Sequence, residues 1–101
     1  MVINSQKRNL IILRCGKNSL HKTWISSGAN YDLFLLPYEH FVSKTEKNCT
    51  LFPLVAGQKW PAISKFIKDN IKLISHYDFI MLPDDDLLIT TSKLNKLFDQ
   101  L

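Results

Sequence analysis

The sequence predicts an α/β protein of three layers, helix on sheet on helix, around a mainly parallel sheet. Two observations predict it. Leu10-Ile11-Ile12-Leu13 is a short continuous apolar run, as a strand is when both faces of its sheet are covered. Further strand-like runs then alternate with stretches whose apolar residues keep helical spacing, and alternation of that kind argues for a parallel sheet with helices on both faces. The 101 residues are enough for one domain with one modest core, so residues 1–101 are taken as a single unit.

Each element has its own signal. Asn9 to Cys15 reads as the first strand, and Gly16-Lys17-Asn18-Ser19 as a turn in which Asn18 or Ser19 caps a short helix over about residues 20–27. Leu20, Trp24 and Ile25 are the apolar side of that helix, and Gly28 suits a left-handed cap at its end. Tyr31 to Leu36 is the second strand, closed by Pro37, and residues 38–50 read as a polar loop. Leu51 to Val55 is a short third strand that Pro53 confines to an edge. Gly57-Gln58-Lys59-Trp60-Pro61 opens the longest helix, with Pro61 near the first turn, where a missing N–H matters least. Ile63, Phe66, Ile67, Ile71 and Ile74 form one buried stripe along it. Phe79 to Leu82 is the last strand, read as buried. Thr90, Thr91 or Ser92 caps a final helix with Leu94, Leu97, Phe98 and Leu101 at helical spacing. The sequence stops in or just after that helix, which predicts the first half of a larger domain or a truncated relative of one.

Composition excludes several classes. Apolar residues at 46% and charged residues at 22% fit a globular protein rather than a disordered one. No apolar run approaches the roughly 20 residues that cross a membrane. The first eight residues are polar and basic, and Leu10 to Leu13 is too short for a signal-peptide core, so a cytoplasmic location is expected. The net charge of +4 is spread along the chain, which gives weak attraction to anions. No motif supports a specific nucleic-acid partner. Cys15 and Cys49 make neither a disulfide framework nor a zinc site and are read as free thiols.

The chemistry concentrates in Asp84-Asp85-Asp86, three acids directly after the run Tyr77-Asp78-Phe79-Ile80-Met81-Leu82-Pro83. Open α/β sheets bind ligands beyond the carboxyl ends of their strands. Alternate residues of an extended chain point the same way, so Asp84 and Asp86 are expected to face one ligand and Asp85 to face elsewhere. Hard oxygen ligands suit Mg²⁺ or Mn²⁺, which commonly combine one or two carboxylates with substrate phosphates. Such a cation offsets the charge of a diphosphate and of its leaving group. The plainer reading is a solvated turn whose acids favour the start of the last helix.

The run from Tyr77 through Asp86 resembles the strand and DxD motif of GT-A glycosyltransferases, which share the Rossmann-like nucleotide-diphospho-sugar transferase fold. Three further stretches are similar to a little-characterised glycosyltransferase family with that fold. They are Ser19-Leu20-His21 with Trp24, then Tyr31-Asp32-Leu33-Phe34, then Lys59-Trp60-Pro61-Ala62-Ile63 ahead of the acids. The resemblance covers about residues 9 to 101. It implies the donor-binding half of such a domain, with Asp84 and Asp86 holding Mn²⁺ or Mg²⁺ against the diphosphate of a nucleoside-diphosphate sugar, and Asp85 beside the substrate. It implies base and ribose contacts from the ends of the first two strands, Arg14-Cys15-Gly16 and Pro37-Tyr38-Glu39. Arg14 alternatively meets phosphate, Tyr38 stacks on the base, and Lys59 meets nucleotide or phosphate at a helix start. The departure comes after the acids, where only one helix follows. The acceptor site and the catalytic base have no counterpart, so the acceptor and the catalytic residues are unassigned. A half-domain is also expected to cover its sheet edge with a second chain or a second copy.

Two other functions compete. One is a phosphohydrolase with Asp84 as nucleophile and Asp86 as acid, loosely resembling haloacid-dehalogenase-like enzymes, although that superfamily places its motif after the first strand. The other is a non-catalytic domain that binds a nucleotide or a partner. The individual residues have plainer readings too: Arg14 paired with a surface acid, Gly16 as a turn residue, His21 packed or solvated, Lys59 facing solvent, and Trp24 and Trp60 as packing anchors.

Overall fold

The run Leu10-Ile11-Ile12-Leu13 lies at the centre of the sheet, where its continuous apolar character is needed. A computed structural model of the chain describes residues 8–25, 28–40 and 49–101. Strand β1 (Asn9–Cys15) is buried from Leu10 onward. It pairs in parallel on both sides, with β2 (Tyr31–Pro37) from Asn9↔Tyr31 to Cys15↔Pro37 and with β4 (Phe79–Met81) from Asn9↔Phe79 to Ile11↔Met81. Strand β3 (Cys49–Leu51) pairs in parallel with β2, from Leu33↔Cys49 to Leu35↔Leu51. The sheet order is β3-β2-β1-β4, so the sheet is wholly rather than mainly parallel.

Alternation along the strands divides the core in two. Ile11, Leu13, Cys15, Leu33 and Leu35 pack with Trp24 and with Leu94 and Phe98 of α3 (Thr91–Asp99). Leu10, Ile12, Phe34 and Leu36 pack with Ile63 and Phe66 of α1 (Lys59–Asp69) and Ile74 of α2 (Ile71–Ile74). Helices therefore cover both faces, which is the three-layer arrangement expected of alternating strands and helices. Asp32, a carboxylate inside β2, is buried and accepts a hydrogen bond of 2.6 Å from the Tyr77 hydroxyl.

Several elements depart from expectation. The helix over 20–27 is a single 3₁₀ turn, His21–Trp24, followed by an extended Ile25. Its residues bond across the fold rather than along a helix: Thr23 Oγ1 donates to the Ile89 carbonyl at 2.6 Å and Trp24 Nε1 to the Leu87 carbonyl at 3.1 Å. Residues 26 and 27 lie outside the described residues. Strand β3 starts two residues earlier than expected and stops before Pro53, at the edge where a proline is tolerated. The long helical stripe breaks at Asn70, whose backbone leaves helical geometry and whose Nδ2 returns to the Phe66 carbonyl at 2.9 Å. Ile63, Phe66 and Ile74 are buried, but Ile71 falls past the break and is 56% exposed. The last strand is a correction as well. Strand β4 is a half-exposed edge of three residues, with Ile80 42% exposed, because it pairs with β1 alone. Helix α3 is capped by Thr90, whose Oγ1 accepts from Lys93 N at 3.3 Å. Leu94 and Phe98 of its stripe are buried, while Leu97 and Leu101 are exposed. No helix among the described residues is long and apolar enough to cross a membrane.

Candidate functional site

The chain runs from β1 outward to β2 and β3, then returns through α1 and α2 to β4 on the other side of β1. The order reverses between β1 and β4, and the crevice beyond the carboxyl ends at such a reversal is where open α/β sheets bind ligands. A cleft of about 330 Å³ opens at that end, lined by Arg14, Tyr38, Gly57, Lys59, Asp84 and Asp85. All of these except Gly57 were expected from the sequence. A larger hollow of about 590 Å³ lies at the opposite, amino end of β1 and β4, around Asn9, Asn30 and Phe79, and gathers none of the predicted residues.

Arg14 is the most constrained of them. It follows Leu10 and Ile12 on the α1-facing side of β1 and is only 5% exposed. Nη1 donates to the Pro37 carbonyl at 3.0 Å and Nη2 to the Gly57 carbonyl at 2.8 Å. The guanidinium also lies 5.6 Å from the centre of the Tyr38 ring. Burial pulls its pKa below the ordinary value, opposed by Cys15 and Tyr38. Neither salt bridge among the described residues, Arg8–Asp78 and Lys59–Asp84, involves Arg14. This is a buried cation balanced by carbonyl dipoles at the wall of a cleft, and such a group attracts an anion.

Lys59 is the first residue of α1 and ion-pairs with Asp84 across the cleft. It also sits 4.7 Å from the Trp60 ring centre. Trp60 is 57% exposed, so it is no packing anchor, whereas Trp24 is fully buried as one. Helix α1 has no acid in its first turn and no capping side chain from Gln58. A lysine there runs against the helix dipole, and the Asp84 carboxylate offsets the positive charge.

The acidic residues occupy a turn rather than a continuing strand, and this overturns the expected alternation. Asp84 and Asp85 line the cleft, while Asp86 is exposed and outside its lining. Asp85 ties the turn to the exit of β1. Its carboxylate accepts from Gly16 N at 3.2 Å, and its carbonyl from Leu20 N at 2.7 Å and Ser19 Oγ at 3.5 Å. Together with the Thr23 and Trp24 bonds, these make residues 19–24 the support of the acidic turn. Sequence reasoning missed that role for Ser19, Leu20 and Trp24, and it missed Gly57. The signal for Gly57 is its positive φ of 110°, which favours glycine and turns its carbonyl to Arg14.

Gly16 is required by close approach: a Cβ there would collide with the Glu39 carboxylate and the Tyr38 ring. Glu39 does not line the cleft; it accepts from Lys17 N at 3.2 Å at its rim. Because the colliding atoms are the far ends of side chains, Gly16→Ala should leave the thermal midpoint within a few degrees of wild type. It should displace Tyr38 and Glu39, read as altered nuclear magnetic resonance shifts of those two residues. His21 is packed, with Nδ1 2.7 Å from Ser19 Oγ. Cys15 and Cys49 are buried and in no disulfide, and burial, with Asp85 and Cys49 adding, pushes the Cys15 thiol up to about 12, so it stays protonated.

No group of three or more His, Cys, Asp or Glu side chains forms a metal cage among the described residues. The available donors are hard carboxylate oxygens on one open turn, and Asp84 already contacts a cation, the Lys59 ammonium. Within the cleft Asp84 is the carboxylate not committed to the backbone, a hard donor of the kind Mg²⁺ or Mn²⁺ takes when phosphate and water complete its shell.

Fold and cleft together define the class: a small α/β domain with a wholly parallel four-stranded sheet and a polar cleft at its switch point. No protein-family model matches the chain, and no curated protein or solved structure matches it.

Proposed function

We propose that the chain is a donor-binding domain of glycosyltransferase type, which takes a nucleoside-diphosphate sugar with Mn²⁺ or Mg²⁺ into the switch-point cleft. One observation carries this reading. A buried arginine with no carboxylate partner among the described residues shares a cleft with a lysine at a helix start and with an acidic turn. Cations alone suit any anion, and acids alone suit any cation. Side by side, they suit a phosphate group that travels with a divalent metal.

The residues then have distinct parts. Arg14 and Lys59 bind diphosphate oxygens. Tyr38, 46% exposed at the mouth, offers its ring to the base. Asp84 holds the cation from the cleft wall, Asp86 adds negative charge from the outer side of the turn, and Asp85 and Gly16 fix the turn against the exit of β1. The cation, when bound, offsets charge on the diphosphate leaving group.

The test is the thermal midpoint of the chain with Mn²⁺ and a panel of nucleoside-diphosphate sugars. At about 100 times the dissociation constant, a ligand adds about 2.7 kcal/mol. For a domain of this size that raises the midpoint by roughly 10–20 °C. A shift with one donor that Mn²⁺ enlarges is expected. No shift in a cooperatively folding sample overturns the reading, and release of phosphate from simple phosphomonoesters would favour the aspartate-based phosphohydrolase instead.

A further inference from the structure

Two demands on the cleft meet at Lys59. Its ammonium pairs with the carboxylate assigned to the metal, and it stands at the helix end that faces the assigned diphosphate. The Lys59 side chain is 27% exposed and that of Asp84 is 75% exposed. An ion pair this open to water is weak, so exchanging its partner is easy. Lys59, Arg14 and the start of α1 collect positive charge at one wall, and Asp84 compensates it while no ligand is bound. A diphosphate would bring its own compensation.

We infer that Lys59 latches Asp84 in the empty cleft and is exchanged for a divalent cation when a diphosphate enters. The ammonium moves from carboxylate to phosphate, and the freed carboxylate takes the metal. This rests on the nucleotide-and-metal reading given above. Metal alone has to displace the lysine and binds weakly. Nucleotide draws the lysine away and raises metal affinity, and by linkage the metal raises nucleotide affinity by the same factor. The lysine thus couples two ligands that the resting cleft holds apart.

The competing account is that Lys59 is merely one more positive charge near a cation site. Lys17, exposed at the same rim, provides the control, since its backbone rather than its ammonium is bonded there. Free Mn²⁺ is counted by electron paramagnetic resonance in solutions of wild type, Lys59→Gln and Lys17→Gln. Binding of ADP, GDP and UDP without metal is followed by calorimetry. Lys59→Gln is expected to tighten Mn²⁺ alone roughly two- to fivefold, the range set by the worth of an exposed pair. It is expected to weaken metal-free nucleotide severalfold, while Lys17→Gln stays near wild type in both. The midpoint of Lys59→Gln should equal or exceed that of wild type, because a cation leaves the positive end of a helix. Mn²⁺ binding no tighter in Lys59→Gln than in Lys17→Gln overturns the latch and leaves the nucleotide reading standing. Absence of both metal and nucleotide binding in every protein overturns the two together.

Discussion

Arg14→Met should weaken both the fold and the cleft, and the two losses can be measured separately. Methionine fills much of the arginine volume, so the change mainly removes a charge and two donors. The Gly57 carbonyl loses its arginine partner and the Pro37 carbonyl keeps only Val55 N, at about 1–3 kcal/mol after the relieved desolvation of the guanidinium is counted. That is a large fraction of the roughly 5–15 kcal/mol that holds a typical domain together. Denaturant unfolding should therefore show a lower midpoint with an unchanged slope. Nucleotide affinity should fall at least tenfold, because a buried cation in a low-dielectric wall interacts strongly with an anion. Arg14→Lys separates the roles: it keeps the charge but not the fork that spans two carbonyls. Lysine is expected to recover part of the binding and little of the stability. Nucleotide binding equal to wild type in Arg14→Met would leave Arg14 as a tie between β2 and the loop before α1, and nothing more.

Arg14 was legible in the sequence as a residue at a strand end, and the reason is general. Runs such as Leu10 to Leu13 declare a strand with two covered faces, and the residues that follow must emerge at one end of the sheet. The same logic placed Tyr38, Lys59 and the acids together. It could not say which strand is central. Phe79-Ile80-Met81 is as apolar as the run in β1, yet the order β3-β2-β1-β4 puts it at the edge, and order is a product of tertiary pairing. The stripe from Ile63 to Ile74 kept its period past Asn70, but a side chain that bonds back to a carbonyl ended the helix and left Ile71 in water. Residues 20–25 carried helical spacing and became one 3₁₀ turn, because Thr23 and Trp24 reach carbonyls more than sixty residues away. The orientation of the acids was misjudged for a related reason. Alternation holds for extended chain, and residues 85 and 86 are in a turn. The pairing of Lys59 with Asp84, 25 residues apart, has no local signature at all.

Asp84→Asn together with Asp86→Asn should abolish the metal-dependent part of donor binding and leave the fold nearly untouched. Both side chains are exposed, and neither lies in the core. The double variant loses the Lys59 pair, worth at most about 1 kcal/mol at such exposure, and gains from relieved repulsion among three adjacent carboxylates. Its unliganded stability should therefore match wild type within about 1 kcal/mol. The extra stabilisation that Mn²⁺ gives in the presence of a donor, about 2.7 kcal/mol at 100 times the dissociation constant, should vanish. Donor affinity in chelator should persist or rise, because Lys59 is no longer held by Asp84. Asp85→Asn is the informative contrast. Asp85 is committed to Gly16 N and supports the turn, so its amide should still accept that bond and keep metal dependence partly intact. A double variant whose donor affinity still responds fully to Mn²⁺ would remove the acidic turn as the metal site, while the anion-binding wall of Arg14 and Lys59 would stand independently of it.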